Sequence, residues 1–216
     1  MLADERREAG LAAETFQMSL HRVPFFLEPQ YMQQPDGWWE THTTRQVRKF
    51  GSVEAFERVK KAHRLMPRAA EAGLDAEGWS DENLDARRQS STLRAHRLIR
   101  WLDSTLGWER AEVAYAHLSR AHFVERGLLN DMAVLEGAAA AVGIEPEATR
   151  AYLSSDEGTA AILSITHELH RLGVHSIPTL FVNGKPALDG AAGVAEVLAA
   201  LREAAQEPHG RRRFLQ

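Results

Sequence analysis

Two short stretches of β-type sequence, separated by a long helical block, constrain the fold of this chain more than any other feature. Residues 16–23 alternate apolar and polar side chains, which is the period of a half-buried strand. Thr179–Val182 is a second β-type run, and the Asn183-Gly184 pair after it predicts a tight hairpin, because both turn positions tolerate positive φ. Strands this short do not form a stable sheet alone. We therefore expect one small α/β unit that is interrupted by a mainly helical insertion at about 45–172.

Helical signals dominate the block between the two β regions. Ser52 and Asp131 are residue types that cap helix N-termini, and Ser154 with Glu157 has the spacing of a capping box. Another helix is expected to begin near Ser91. Its apolar residues recur at helical spacing and are Ala95, Leu98, Ile99, Leu102 and Leu106.

Three other segments lack a regular period. Residues 24–44 combine three prolines with several aromatic side chains and predict an irregular stretch. Residues 74–90 are polar and predict a loop. The last residues, 206–216, end in a basic run and predict a disordered tail.

The 216 residues include no cysteine, which excludes disulfides, thiolate zinc sites and a cysteine nucleophile. The composition, 44% hydrophobic and 26% charged, is that of a globular protein. The formal net charge of −4 gives no general attraction to nucleic acid or to anionic membranes. No apolar run approaches the ~20 residues of a spanning helix. Because the first residues are largely charged, we expect no signal-peptide h-region there. We expect a cytoplasmic protein without a nucleic-acid or membrane partner.

The segment from Gly173 to Lys185, Gly-Val-His-Ser-Ile-Pro-Thr-Leu-Phe-Val-Asn-Gly-Lys, resembles the C-terminal half of a DsbA-family thioredoxin domain. A Gly-Ala pair at 190–191 follows the hairpin, as in that family. Phe-Phe-Leu-Glu-Pro at residues 25–29 and Leu-Arg-Ala-His-Arg-Leu-Ile at 93–99 are similar to the FrnE-like branch.

The resemblance implies an α/β, thioredoxin-like fold of the DsbA type with a large helical insertion. Residues 1–44 and 173–205 would form the thioredoxin-like unit, 45–172 the inserted helical domain and 206–216 the basic tail. The family's first strand and its Cys-x-x-Cys motif have no counterpart in the sequence, so we expect the first strand to be missing. Three alternatives stay open: the start of the sequence is truncated, the sheet closes by a different pairing, or a partner chain supplies a strand.

The resemblance also implies a function and a site. The members of the resembled family are protein-disulfide oxidoreductases. Thiol–disulfide exchange requires a thiolate, so we expect this chain to be redox-inactive alone and to hold no catalytic residue. A cis peptide bond before Pro178 is implied as well. The substrate-binding residues would be Ser176, which stands where glycine is usual, together with Ile177 and Pro178; their backbone would pair with an extended peptide or with glutathione.

Two other classes of function stay open. Glutathione-dependent isomerases and transferases of the 2-hydroxychromene-2-carboxylate isomerase and kappa types share this architecture and borrow the thiol of glutathione. They hold it with a Ser-Asp pair where this chain has Gly190-Ala191-Ala192-Gly193, whose backbone amides could still face an anion. The other class is a non-catalytic module that binds a partner or forms a homodimer.

The histidines offer a metal site and a catalytic base as further interpretations. His167 and His170 lie three residues apart on one predicted helix, and His175 follows its end, which is a spacing that can bind zinc. We favour surface histidines without a metal, because no fixed carboxylate completes the set. His96 lies on the patterned face of its helix and is expected to be a core or interface group rather than a catalytic base.

Overall fold

The fold is described from a computed structural model, which covers residues 18–62 and 87–206. It is mixed α/β and mostly helical. In chain order its elements are a 3-10 helix (Pro29–Gln33), β1 (Trp39–Thr41), α1 (His42–Phe50), α2 (Val53–Ala62), β2 (Arg88–Ser90), α3 (Leu93–Leu106), α4 (Trp108–Phe123), α5 (Met132–Ala140), α6 (Pro146–Ser154), α7 (Thr159–Arg171), β3 (Thr179–Val182), β4 (Lys185–Asp189) and α8 (Val194–Gln206). Within the described ranges, no helix is both long and apolar enough to cross a membrane.

The chain forms two compact units. Residues 22–172 make up the helical unit, and the described residues of the hairpin unit are 18–21 and 173–206. The assignment of residues 1–44 to the thioredoxin-like part stays a prediction. The predicted basic tail, 206–216, lies outside the described residues apart from its first member.

The core of the helical unit lies among α3, α4, α5 and α6. Leu98 and Leu102 of α3 are fully buried and pack against Leu118 of α4 and Leu135 of α5 in one apolar cluster. The period expected from the sequence is therefore confirmed for the middle of α3. Leu106, the last predicted member of this face, is 36% exposed, because it lies at the helix end just before Gly107.

Two of the predicted helix caps form and one does not. The Asp131 carboxylate accepts the backbone N–H of Ala133 at 2.9 Å, and Ser52 Oγ accepts that of Ala55 at 3.1 Å. The capping box at Ser154 and Glu157 was wrong. The hydroxyl of Ser155 accepts the Glu157 N–H instead, at 3.2 Å, and α7 begins two residues later, after Gly158.

A buried arginine ties α3 to the connection between α6 and α7. Arg97 is only 4% exposed, and its guanidinium donates to four backbone carbonyls. The acceptors and distances are Glu157 at 2.8 Å, Leu153 at 3.3 Å, Tyr152 at 3.0 Å and Ser155 at 2.7 Å. Tyr152 and Leu153 lie in the last turn of α6, and Ser155 and Glu157 follow it. The arginine therefore supplies donors at a helix end, where carbonyls lack the N–H four residues further on.

The segments expected to be loops contain a small antiparallel ladder. Trp39 of β1 pairs with Ser90 of β2, and Thr41 pairs with Arg88. The Thr41 hydroxyl then accepts the Thr44 N–H at 3.0 Å and begins α1, a helix that the sequence analysis did not predict. The expectations of an irregular stretch through residue 44 and a loop through residue 90 were therefore wrong at these elements.

The predicted hairpin of the other unit is confirmed. β3 and β4 are antiparallel, and Asn183 and Gly184 join them with φ values of 51° and 78°, as a tight turn of this type requires. A register shift lies between Leu180 and Phe181, so that Thr179 pairs with Asp189. The strand predicted over residues 16–23 was wrong for its described part, since 18–23 form neither helix nor strand.

Candidate functional site

The loop that enters β3 is the candidate site, and the hairpin holds it in place. The peptide bond between Ile177 and Pro178 is cis. The carbonyl of Pro178 accepts the backbone N–H of Gly190 at 2.8 Å, which joins the loop to the end of β4. The Ser176 hydroxyl donates to Asp189 Oδ1 at 2.6 Å, on the same side of the ladder end.

Thr179 completes this bracing. Its Oγ1 lies 2.9 Å from the Ser176 carbonyl and 3.2 Å from Asp189 Oδ1, so its single proton is shared between two acceptors. The hydroxyl protons of Ser176 and Thr179 lower the pKa of the Asp189 carboxyl below its ordinary value, and the backbone N–H of Gly190 and the nearby His175 act in the same direction. Asp189 is therefore held as an acceptor that fixes the loop.

Ile177 presents both a side chain and a backbone for contact. Its side chain is 47% exposed, although it is a large aliphatic group. Within the described part of the chain, neither its N–H nor its C=O takes part in a hydrogen bond. The loop therefore combines an exposed apolar side chain with a donor and an acceptor that the protein itself does not use.

The turn before α8 differs from an open anion site. The backbone N–H of Gly193 donates to the Glu196 carboxylate at 2.7 Å. The Glu196 carboxylate therefore already accepts the hydrogen bond of the Gly193 amide at the start of α8. This is the turn whose amides, judged from the sequence, could face an anion such as the γ-glutamyl end of glutathione.

The three histidines of the predicted metal set form no metal cluster among the described residues. His167, His170 and His175 are exposed, and the ring of His170 lies edge-on to that of Phe25, with centroids 5.8 Å apart. Among the residues that the structure describes, no group of three or more His, Asp or Glu side chains is arranged to hold a metal ion.

His96 belongs to the packing of the helical unit. Its ring lies edge-on to the buried ring of Phe26, with centroids 5.0 Å apart. Burial lowers the pKa of His96 to about 4, and a hydrogen bond to the Phe25 backbone opposes the shift. A histidine that is neutral at pH 7 and packed on a phenylalanine has the character of a core group.

The sequence predicts a binding site at this loop, which stays a prediction, but it does not predict the contact with Asp189, the loop's main side-chain partner. Counting outward from the Asn183-Gly184 turn without a shift pairs Thr179 with Leu188. The irregularity after Leu180 moves this pairing by one residue and brings Asp189 opposite Thr179. The proline at position 186 of β4, which cannot donate to a ladder, is the one sequence signal that hints at an irregular strand here.

The sequence matches the model of a known protein family. The sequence model of the DSBA-like thioredoxin domain family matches residues 50–202, which is more than half of the chain. The chain therefore belongs to the family of DSBA-like thioredoxin domains, and the expected thioredoxin-like fold of DsbA type is confirmed. No curated protein sequence matches the chain.

Proposed function

We propose that this chain is a thiol-free DsbA-like protein that binds an extended peptide and carries out no thiol–disulfide exchange of its own. The observation that carries the proposal is the absence of cysteine from all 216 residues. Exchange proceeds by attack of a thiolate on a disulfide sulfur, and no other side chain supplies that nucleophile. What the family fold still offers is its peptide-facing surface.

The loop at Ser176, Ile177 and Pro178 is the docking surface in this proposal. The unused N–H and C=O of Ile177 would pair with the backbone of an extended peptide, and the exposed Ile177 side chain would pack on the peptide's side chains. The hydrogen bonds to Asp189 and Gly190 favour binding, because a loop that is already ordered loses little conformational entropy.

A polarisation assay tests this docking. The probe is the insulin B chain, reduced, alkylated and labelled with fluorescein, so that no thiol contributes to binding. We expect Ile177→Asp to raise the Kd roughly tenfold, because it places a charge in an apolar contact beside the paired backbone. The matched control is Leu163→Asp on α7, where the wild-type side chain is 45% exposed and lies outside the loop. Equal affinities of the two variants, or no binding by the wild type, would contradict the proposal.

Glutathione is the competing ligand, as the isomerase and transferase alternative requires. Calorimetric titration with millimolar glutathione separates the two, since the peptide proposal predicts no heat from glutathione at this concentration. The Glu196 carboxylate on the Gly193 amide argues against a glutathione carboxylate at that turn. Membership of the FrnE-like branch, a cytoplasmic location and homodimer formation stay predictions, and sedimentation tests the last of them.

A further inference from the structure

A cavity of about 190 Å³ lies within the helical unit. Four chain segments form its walls: the end of the 3-10 helix and the residues after it, the first turn of α3, the residue before the N-cap of α5, and the connection between α6 and α7. At ~30 Å³ per water molecule, the space corresponds to about six waters, so it suits a ligand of six to eight heavy atoms.

Among the described residues that line the cavity, Arg94 is a cation that can exchange its partner. Arg94 Nη2 lies 2.7 Å from Asp36 Oδ2, and the two side chains are 22% and 75% exposed. Arg97 also lines the cavity, but the four carbonyls described above take up its guanidinium. Because Asp36 is held by one contact and faces solvent, a ligand carboxylate can replace it on Arg94.

Two acceptors in the same wall have no hydrogen-bond donor among the described residues. Asn130 is 7% exposed and donates from Nδ2 to the Trp38 carbonyl at 3.1 Å, while its Oδ1 is buried and unbonded within the described ranges. The carboxylate of Asp156 lines the cavity too, and no described residue hydrogen-bonds to it. Asn130 Oδ1 has almost no solvent-accessible surface, so the Asp156 carboxylate is the acceptor that a ligand in the cavity can reach.

We propose that this cavity binds a small amino carboxylate, of the size of a free α-amino acid. Its carboxylate would pair with Arg94 in place of Asp36, and its ammonium group would donate to Asp156. A phosphate dianion fits this wall less well, because two neighbouring aspartates repel it and the donors of Arg97 are already used by backbone carbonyls. This site is separate from the proposed peptide-docking loop and stands or falls independently of it.

Calorimetry on the full 216-residue chain tests the site with three probes. L-serine carries both charged groups, whereas acetate carries only the carboxylate and ethanolamine only the ammonium. We expect L-serine to bind at least roughly tenfold more tightly than either partial probe, since each charge-assisted contact contributes about a factor of ten. Acetate binding as tightly as L-serine would overturn the proposal, as would no heat from L-serine at millimolar concentration.

Variants of the chain test the contacts of the ligand's carboxylate and of its ammonium group separately. Arg94→Gln should abolish L-serine binding, and Arg100→Gln, on the same helix but outside the cavity, should leave it unchanged. Asp36→Asn should keep or tighten binding, because it removes the competing carboxylate. Asp156→Asn, at an exposed position between α6 and α7, should weaken the binding of L-serine but not that of acetate. This variant tests the proposal even if Arg94→Gln fails to fold. Equal L-serine affinity of Asp156→Asn and the wild type would contradict the assigned ammonium position.

Discussion

Asp189 is the residue whose protonation state bears most directly on the proposed docking loop. Its carboxylate accepts the Ser176 hydroxyl at 2.6 Å, and that bond is the largest cause of its lowered pKa. A carboxylate that accepts hydrogen bonds is stabilised in its ionised form, so losing a donor moves the pKa back toward the ordinary value.

We therefore predict that Ser176→Ala raises the pKa of Asp189. NMR titration of the Asp189 side-chain carboxyl resonance measures the change in the wild type and in the variant. Ser164→Ala, at an exposed position of α7 in the other unit, is the matched control and should leave the titration unchanged. An unchanged Asp189 pKa in Ser176→Ala would refute the bracing described for the loop.

His96 makes the stability of the helical unit depend on pH. In the unfolded chain the imidazole has its ordinary pKa near 6.5, whereas burial holds the pKa at about 4 in the folded state. Between these values the unfolded state takes up a proton that the folded state does not. Stability is therefore lost as the pH falls from about 6.5 toward 4.

The predicted loss from this group is about 2–3 kcal/mol of unfolding free energy between pH 7 and pH 4.5. Urea denaturation at the two pH values measures it, and His96→Gln should remove most of this pH-dependent difference. His167→Gln, at an exposed position of α7, should retain the full difference. If His96→Gln and His167→Gln lose the same stability on acidification, the buried neutral state of His96 is wrong.

At the scale of elements, strong local signals predicted structure and weak ones did not. The β3–β4 hairpin followed from Asn183-Gly184, because few residue pairs adopt positive φ twice in succession. The β1–β2 ladder could not be predicted, since its strands have three residues each and are far apart in sequence. The strand proposed for residues 16–23 rested on a short alternation that no described partner strand supports.

The candidate site, too, could be predicted from the sequence only in part. Ser176, Ile177 and Pro178 could be proposed as a site from the sequence, because they lie in a recognisable block next to the hairpin. The role of Asp189 depends on a one-residue shift of register, and the cavity at Arg94 depends on four segments that meet only in the folded unit. Neither leaves a periodic pattern in the sequence.

The cap of α5 gives a test of an element. Asp131→Ala removes the acceptor of the Ala133 N–H, and we expect a loss of about 1 kcal/mol in unfolding free energy. Glu145→Ala is the matched control, because Glu145 occupies the corresponding position of α6 without forming a side-chain cap. Its effect should stay within ~0.5 kcal/mol. Chemical denaturation measures both, and equal effects would show that the Asp131 cap contributes nothing.

At the scale of the whole molecule, the family defines the fold and the composition limits the chemistry. The matched region, 50–202, spans most of the helical unit and the hairpin with the Ile177 loop. The helical unit has its own apolar core, centred on Leu98, Leu102 and Leu135. The fold can therefore persist without a redox motif, while the reaction of the family's oxidoreductases cannot proceed without a thiolate.

Reduction of insulin by dithiothreitol, followed by turbidity, tests this central claim most directly. We predict the same rate of precipitation with and without the 216-residue chain, because the chain supplies no thiolate to carry electrons between the two. A rate that rises in proportion to the concentration of the chain would contradict the account.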